Sequence, residues 1–464
     1  MLTSDKSELL QTFLGALPER AASRLAKAVE VDRLADGTAL PHEMILDSLR
    51  PTLRKSETAS RTPTPLRLFC LPFEDLLCGT ERKEKQKGRI ARSSVMPVWN
   101  WLADVLLPDE TKAYCGEIKA AVLTCKLDAA EVRAKNFRAA ASVALREAIA
   151  RDAKGARHML GSDFAVADAK EISLLLLAAD QLLEVQRMLP KPVPVLGEEL
   201  LWSLRQLYET VCESAPDAAP FLPVVAMRRL AKPWEALKLA LLITHQTQDT
   251  LISSTDLGLV GDTLFTDMED CRVAIHAVRQ PAFDVDALLR HLTAFTDISS
   301  AIVKEIEILR RGKWGQRLLN DRAAVGGVMD AMMERAPKEI AAALPSHKGG
   351  FTGGPRGPDF SRPVAEDKID RALRYAKLML GSRKLAAAAS FGAKLAGAMD
   401  EATQLLRSYN EDVVKELRSA QGERRDIVER QFQLAAELTA LLFSEEEAEF
   451  LRRRGRAASS QAAA

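Results

Sequence analysis

The sequence predicts an all-α protein. It reads as an irregular multi-helix body, bundle-like or solenoid-like, followed by a Gly/Pro tether and a C-terminal helical hairpin or coiled-coil-like arm. Three observations carry this expectation. Hydrophobic residues make up 47% of the 464 residues while aromatics supply only 5%, so the core must be built from Leu, Ala, Val and Ile. Leu and Ala are strong helix formers, with Arg and Glu close behind. No stretch shows the alternating, β-branched pattern that strands require. Finally, residues 345–363 read PSHKGGFTGGPRGPDFSRP, a composition that cannot continue a helix because Pro lacks an amide donor and Gly is entropically costly. At roughly 100–200 residues per domain the length allows about two to four domains. The expected organisation is 1–94, N-terminal helices with a Pro-rich segment and a basic loop; 95–344, the main body; 345–363, a flexible linker; 364–455, the arm; and 456–464, a disordered tail.

Taken in order, Leu9, Phe13, Leu17 and Leu25 fall on a helical stripe interrupted at Pro18. Pro41 opens a second short helix over 42–53. Residues 61–77, RTPTPLRLFCLPFEDLL, hold prolines at 63, 65 and 72 and read as an extended segment laid on the body. The charge run 81–92, ERKEKQKGRIAR, reads as an exposed loop. A helix from Val95 stops at Pro108. Asp109 and Asp128 are suited to cap the next two, since a carboxylate accepts from first-turn amides. Residues 163–189 read as one long helix ending at PKPVP, a polyproline-like connector. Helices are then expected over 198–212, 234–252, 256–278, 284–311 and 317–344. Gly312 and Gly315 mark a turn around Trp314, and Pro337 a kink.

Beyond the tether, Ile369, Leu373, Ala376 and Leu380 lead to a seam through Leu395, Met399, Ala402, Leu406, Tyr409 and Val413, and then to Ile427, Leu434, Leu438 and Leu441. Spacing of three and four places one side chain per turn on a narrow stripe, which suits another helix. Leu395, Met399, Leu406, Tyr409, Val413, Leu434, Leu438 and Leu441 are therefore candidate partner-binding residues. The competing reading is that these helices fold back on the body, in keeping with the tertiary origin of most helix stability.

Charge and cysteine usage bound the partners. Lys and Arg number 65 against 64 Asp and Glu, so nucleic acid is not the expected partner. No window is apolar for the length a membrane helix needs, and no secretory signal is visible. Six scattered cysteines read as reduced thiols in a cytoplasmic protein.

Chemical motifs are sparse, and no cofactor is expected. The six histidines form no HExxH and no zinc spacing. His245 and Asp249 stand one helical turn apart and are the candidate metal or acid–base pair, set against a structural role. Arg310, Arg311, Lys313 and Arg317, with Trp314 between two glycines, could contact a phosphate-bearing ligand. Arg82, Lys83, Lys85, Lys87, Arg89 and Arg92 could touch an anion, an acidic protein or lipid head groups, or be a solvated loop. The residues 247–262 hold many hydroxyls and read mainly as caps. No serine elbow, kinase set, phosphate loop or dinucleotide fingerprint is present. The expected function is a non-catalytic helical interaction or scaffold protein that assembles with itself or a protein partner through its C-terminal helices. The alternative is a regulatory or catalytic protein binding a phosphate-bearing small molecule between body helices. Peripheral membrane contact through 81–92 is a third reading.

Overall fold

The computed structural model describes residues 4–35, 39–55, 63–79, 84–278, 282–347 and 357–462. It is all-α: 21 α-helices and, among the described residues, two strands of two residues each. The chain divides into two compact units, Met1–His245 with Asp256–Thr263, and Gln246–Thr255 with Leu264–Ala464.

In the first unit, α1 (Ser4–Gly15), α2 (Glu19–Leu34) and α3 (His42–Lys55) share a small aliphatic core of Leu14, Ala22, Ala26, Val29, Ile45 and Leu49. The segment expected to be extended instead forms α4 (Pro65–Cys70) and a 3-10 helix, Leu71–Leu76. The prolines start these turns rather than forbidding them. Thr64 accepts from the Arg67 amide at 3.3 Å, and Pro65 and Pro72 occupy first-turn positions where no amide is needed. Arg67 then clamps Glu30 of α2 with two hydrogen bonds, 2.8 and 3.1 Å.

The short strands β1 (Leu77–Cys78) and β2 (Ile90–Ala91) pair in parallel. Next come α5 (Arg92–Trp101), a π turn at Leu102–Leu106, α6 (Pro108–Leu123), α7 (Leu127–Arg151), α8 (Ala153–Leu160), α9 (Asp163–Leu177) and α10 (Ala179–Met188). The expected helix over 163–189 is therefore two, separated only at Ala178, whose ψ of 20° leaves the helical range. Few aromatics exist, and five of the first unit's, Phe69, Phe73, Trp99, Tyr114 and Phe137, gather in one cluster. Tyr114 stacks on Phe137 at 4.2 Å, and Phe69 lies 5.3 Å from Trp99. The unit is completed by α11 (Glu198–Ser214), the wholly buried α12 (Phe221–Met227) and α13 (Ala236–Thr244).

The helix expected over 234–252 is interrupted. His245 ends α13 in the left-handed conformation (φ 53°). Gln248 then pairs with Glu307 as an isolated parallel bridge before α14 (Asp249–Ser253). The second unit continues through most of α15 (Gly258–His276) into α16 (Val285–Glu305), α17 (Lys313–Ala343), α18 (Glu366–Ser382), α19 (Gly392–Ser419), α20 (Glu423–Leu442) and α21 (Glu445–Ala462). Pro337 lies inside α17 without ending it, and the expected disordered tail is helical as far as Ala462.

The segment read as a tether lies inside this unit. Its central residues 348–356 fall outside the described ones, but its two ends are tied to each other. The His347 amide donates to Gly357 O at 3.0 Å, and the Asp359 amide donates to Pro345 O at 2.8 Å. Phe360 is buried and lies 6.4 Å from the Tyr409 ring of α19. The result is a closed loop that sets α18 against α17. Met329, Met332, Met333, Ala336 and Ile340 of α17, and Ala372, Tyr375, Ala376 and Met379 of α18, are all fully buried. Glu339 of α17 reaches Arg371 of α18 at 3.5 Å.

Two glycines of α17 separate space from propensity. A Cβ on Gly315 would lie 2.1 Å from the Leu309 carbonyl oxygen, whereas one on Gly327 would meet open space. Gly315→Ala should lower stability by about 2 kcal/mol or more. Gly327→Ala should raise it by up to about 1 kcal/mol. Thermal unfolding followed by circular dichroism checks both signs.

Candidate functional site

A cluster of charges joins the basic run to two buried acids of α9, and it lies where the sequence places a solvated loop. β1 and β2 pair in parallel, and residues 84–91, leading into and including β2, form a strap against α9. Within this strap Lys85 turns inward. Its Nζ donates to Glu171 Oε2 at 2.9 Å, to Arg89 O at 2.5 Å and to Gln86 O at 3.1 Å, and stands 2.8 Å from Asp168 Oδ1. Asp168 and Glu171 lie three residues apart on α9, hence on one face. Asp168 Oδ2 accepts from the Ala91 amide at 3.0 Å and the Ser94 hydroxyl at 2.6 Å. Glu171 Oε2 also accepts from the Gly88 amide at 3.2 Å. Gly88 has a φ of +79°, which glycine adopts at no steric cost.

Asp168, Glu171 and Ser94 are all buried. Burial pushes the Glu171 carboxyl up from its ordinary 4.5 to about 7, against the opposing pull of the Lys85 ammonium. The arrangement locks the strap to α9. Of the remaining anion-contacting candidates, Lys87 lies 5.4 Å over the Phe221 ring, Arg89 is half-buried and Arg92 is exposed at the start of α5. Arg82 and Lys83 lie outside the described residues. Asp168 and Glu171 escaped sequence reading, although a signal existed. Two acids three apart inside the apolar run AVADAKEISLLLL must find a partner if the helix is buried.

The candidate phosphate contacts do not converge. Trp314 is 1% exposed and packs 5.9 Å from Phe265, so it is a core residue and not a surface contact. Arg317 donates to Glu269 Oε2 at 3.1 Å and lies over Phe265. Arg272 bridges Glu269 and Asp321 at 3.2 and 3.0 Å. Burial raises the Asp321 carboxyl above its ordinary range. Arg310, Arg311 and Lys313 are exposed. The amino end of α17, where an anion would be held by the helix dipole, already faces a carboxylate. Asp249 is 1% exposed, and its Oδ2 stands 2.6 Å from where a Cβ on the N-cap Gly312 would be. Neither oxygen of Asp249 has a hydrogen-bond partner.

His245 and Asp249, read as one turn of a single helix, belong to different units. Among the described residues no group of three or more His, Cys, Asp or Glu side chains is placed to hold a metal.

The candidate partner seam is spent inside the second unit. Leu395, Leu406, Tyr409, Val413, Leu434 and Leu438 are buried, and Met399 and Leu441 are half-buried. They pack α19 against α20, α21 and α17. Gln431, an odd residue for such a stripe, meets the Tyr409 hydroxyl at 3.3 Å, and Asn410 donates to Thr439 at 2.9 Å. The polar residues on the seam are thus paired across it.

Among the described residues no helix is long and apolar enough to cross a membrane. Comparison of the chain with protein-family models, with curated proteins and with solved structures finds no match.

Removing Lys85 would leave the buried Asp168 and Glu171 without their one cationic partner. Lys85→Met should destabilise the protein by about 3 kcal/mol or more. Lys87→Met, which loses only an exposed cation–π contact, should cost no more than about 1 kcal/mol. Urea unfolding of both variants tests the difference.

Proposed function

We propose that this chain is a non-catalytic helical interaction protein, contacting a second copy or a helical partner through its C-terminal helices. With the apolar seam of α19 and α20 consumed internally, the contact falls to the outward face of α21. The observation that supports it is Phe450. This large aromatic is 62% exposed on the last helix, and Arg454 lies 5.9 Å over its ring. An exposed aromatic beside an arginine is the composition that dominates the energy of protein interfaces. Glu446, Arg453 and Arg454 around it are exposed and supply a mixed-charge rim. None of the six cysteines forms a disulfide, which suits the reducing cytoplasm assigned by this reading.

The phosphate-ligand alternative is not adopted. Its aromatic is in the core, its Arg317 is ion-paired, and the helix end beside it faces Asp249. Membrane contact through the basic run is set aside for a similar reason, since Lys85 points inward.

Light scattering across a concentration series tests the proposal, together with recovery of the native protein and its companions. The wild type should exceed the 50.9 kDa monomer mass or bring down a stoichiometric partner. Phe450→Glu should weaken that association by roughly 30-fold, the scale of an interface hot spot of about 2 kcal/mol. A monomer without a partner, or an association indifferent to Phe450→Glu, overturns it.

A further inference from the structure

We propose that the Lys85–Asp168–Glu171 hub is a proton-linked latch: docking of the strap 84–91 onto α9 takes up one proton, and undocking releases it. The geometry carries this through a charge count. One ammonium faces two buried carboxylates at 2.8 and 2.9 Å, so the hub is electrically neutral only when one carboxyl keeps its proton. Asp168 accepts from the Ala91 amide and the Ser94 hydroxyl and stands 2.8 Å from the Lys85 ammonium, a setting that favours its ionised form. Glu171 therefore carries the proton. The charged groups acting on Glu171 are Lys85 from the strap and Asp168 from its own helix. From β2 and α5 the hub receives only the Ala91 amide and the Ser94 hydroxyl. The docked carboxyl, raised to about 7 by burial, agrees with the count.

The sign follows from linkage. With the strap undocked, Glu171 meets water and returns toward its ordinary value of 4.5. Between those two values the docked state binds more protons than the undocked one. Opening therefore becomes more favourable as pH rises from about 4.5 to 7, and levels off above.

Hydrogen exchange tests the latch on the full chain. The reporters are the Gly88 and Ala91 amides, which donate to Glu171 and Asp168. After correction for intrinsic exchange, their opening should increase by about 40-fold between pH 5 and 7, the linkage of one proton between these two values. The amides of Val193 and Ala231, paired elsewhere in the unit, should not follow. Glu171→Gln, which keeps a neutral hub, should abolish the pH dependence. If that variant does not fold, carbon-13 titration of the wild-type Glu171 carboxyl decides. A midpoint near 7 supports the latch. A midpoint near 4.5, or a Gly88 and Ala91 opening that is flat with pH, overturns it.

Discussion

Burial of one long helix on several sides is the constraint on which the second unit depends. α17 is 31 residues long and buries a run of Met, Ala, Val and Ile against α18 and α19. With so few aromatics available, such a core gains its energy from many small contacts, each requiring close helix approach. Small residues permit that approach. Gly326 lies where a Cβ would be 3.3 Å from the Ala389 carbonyl, and Gly315 tucks under Leu309 O. The paired ends of the Gly/Pro loop at 345–347 and 357–359 bring the chain back directly, so α18 enters the core beside the helix it follows.

The interior polar groups obey a second rule, that a buried charge must be answered. Lys85, Asp168 and Glu171 answer one another. Glu235 accepts from the Leu196 amide at 2.7 Å and thereby holds the connector ahead of α11. Arg138 is buried beside the aromatic cluster. Its Nε donates to Ala134 O at 3.0 Å, and burial lowers its pKa from the ordinary guanidinium value. Asp249 lies beside the amino end of α17.

Much of the fold was legible because helices announce themselves through spacing and caps. At the start of the helix expected over 284–311, Asp284 accepts from the Asp286 and Ala287 amides. The starts at Asp163 and Glu198 coincide with the helices seen. Misreadings arose where one residue type serves two purposes. Proline reads as a breaker at 65 and 72, where it initiates turns. Apolar periodicity at 234–252 concealed a left-handed His245. The 345–363 composition says that no helix runs through it, but is silent on whether its ends meet. The site was less legible still. A local basic run and two acids some 80 residues further on have no relation in sequence until β1 and β2 pair. A heptad-like seam does not say whether its partner lies in the same chain.

The central claim is that the C-terminal helices are an integral part of a unit with α17, not an arm on a tether. A protease site introduced within 348–356 and cleaved in the folded protein tests it most directly. The account predicts that the two fragments stay together through size-exclusion chromatography, with unchanged helical circular dichroism. Separation of the fragments under native conditions would contradict it.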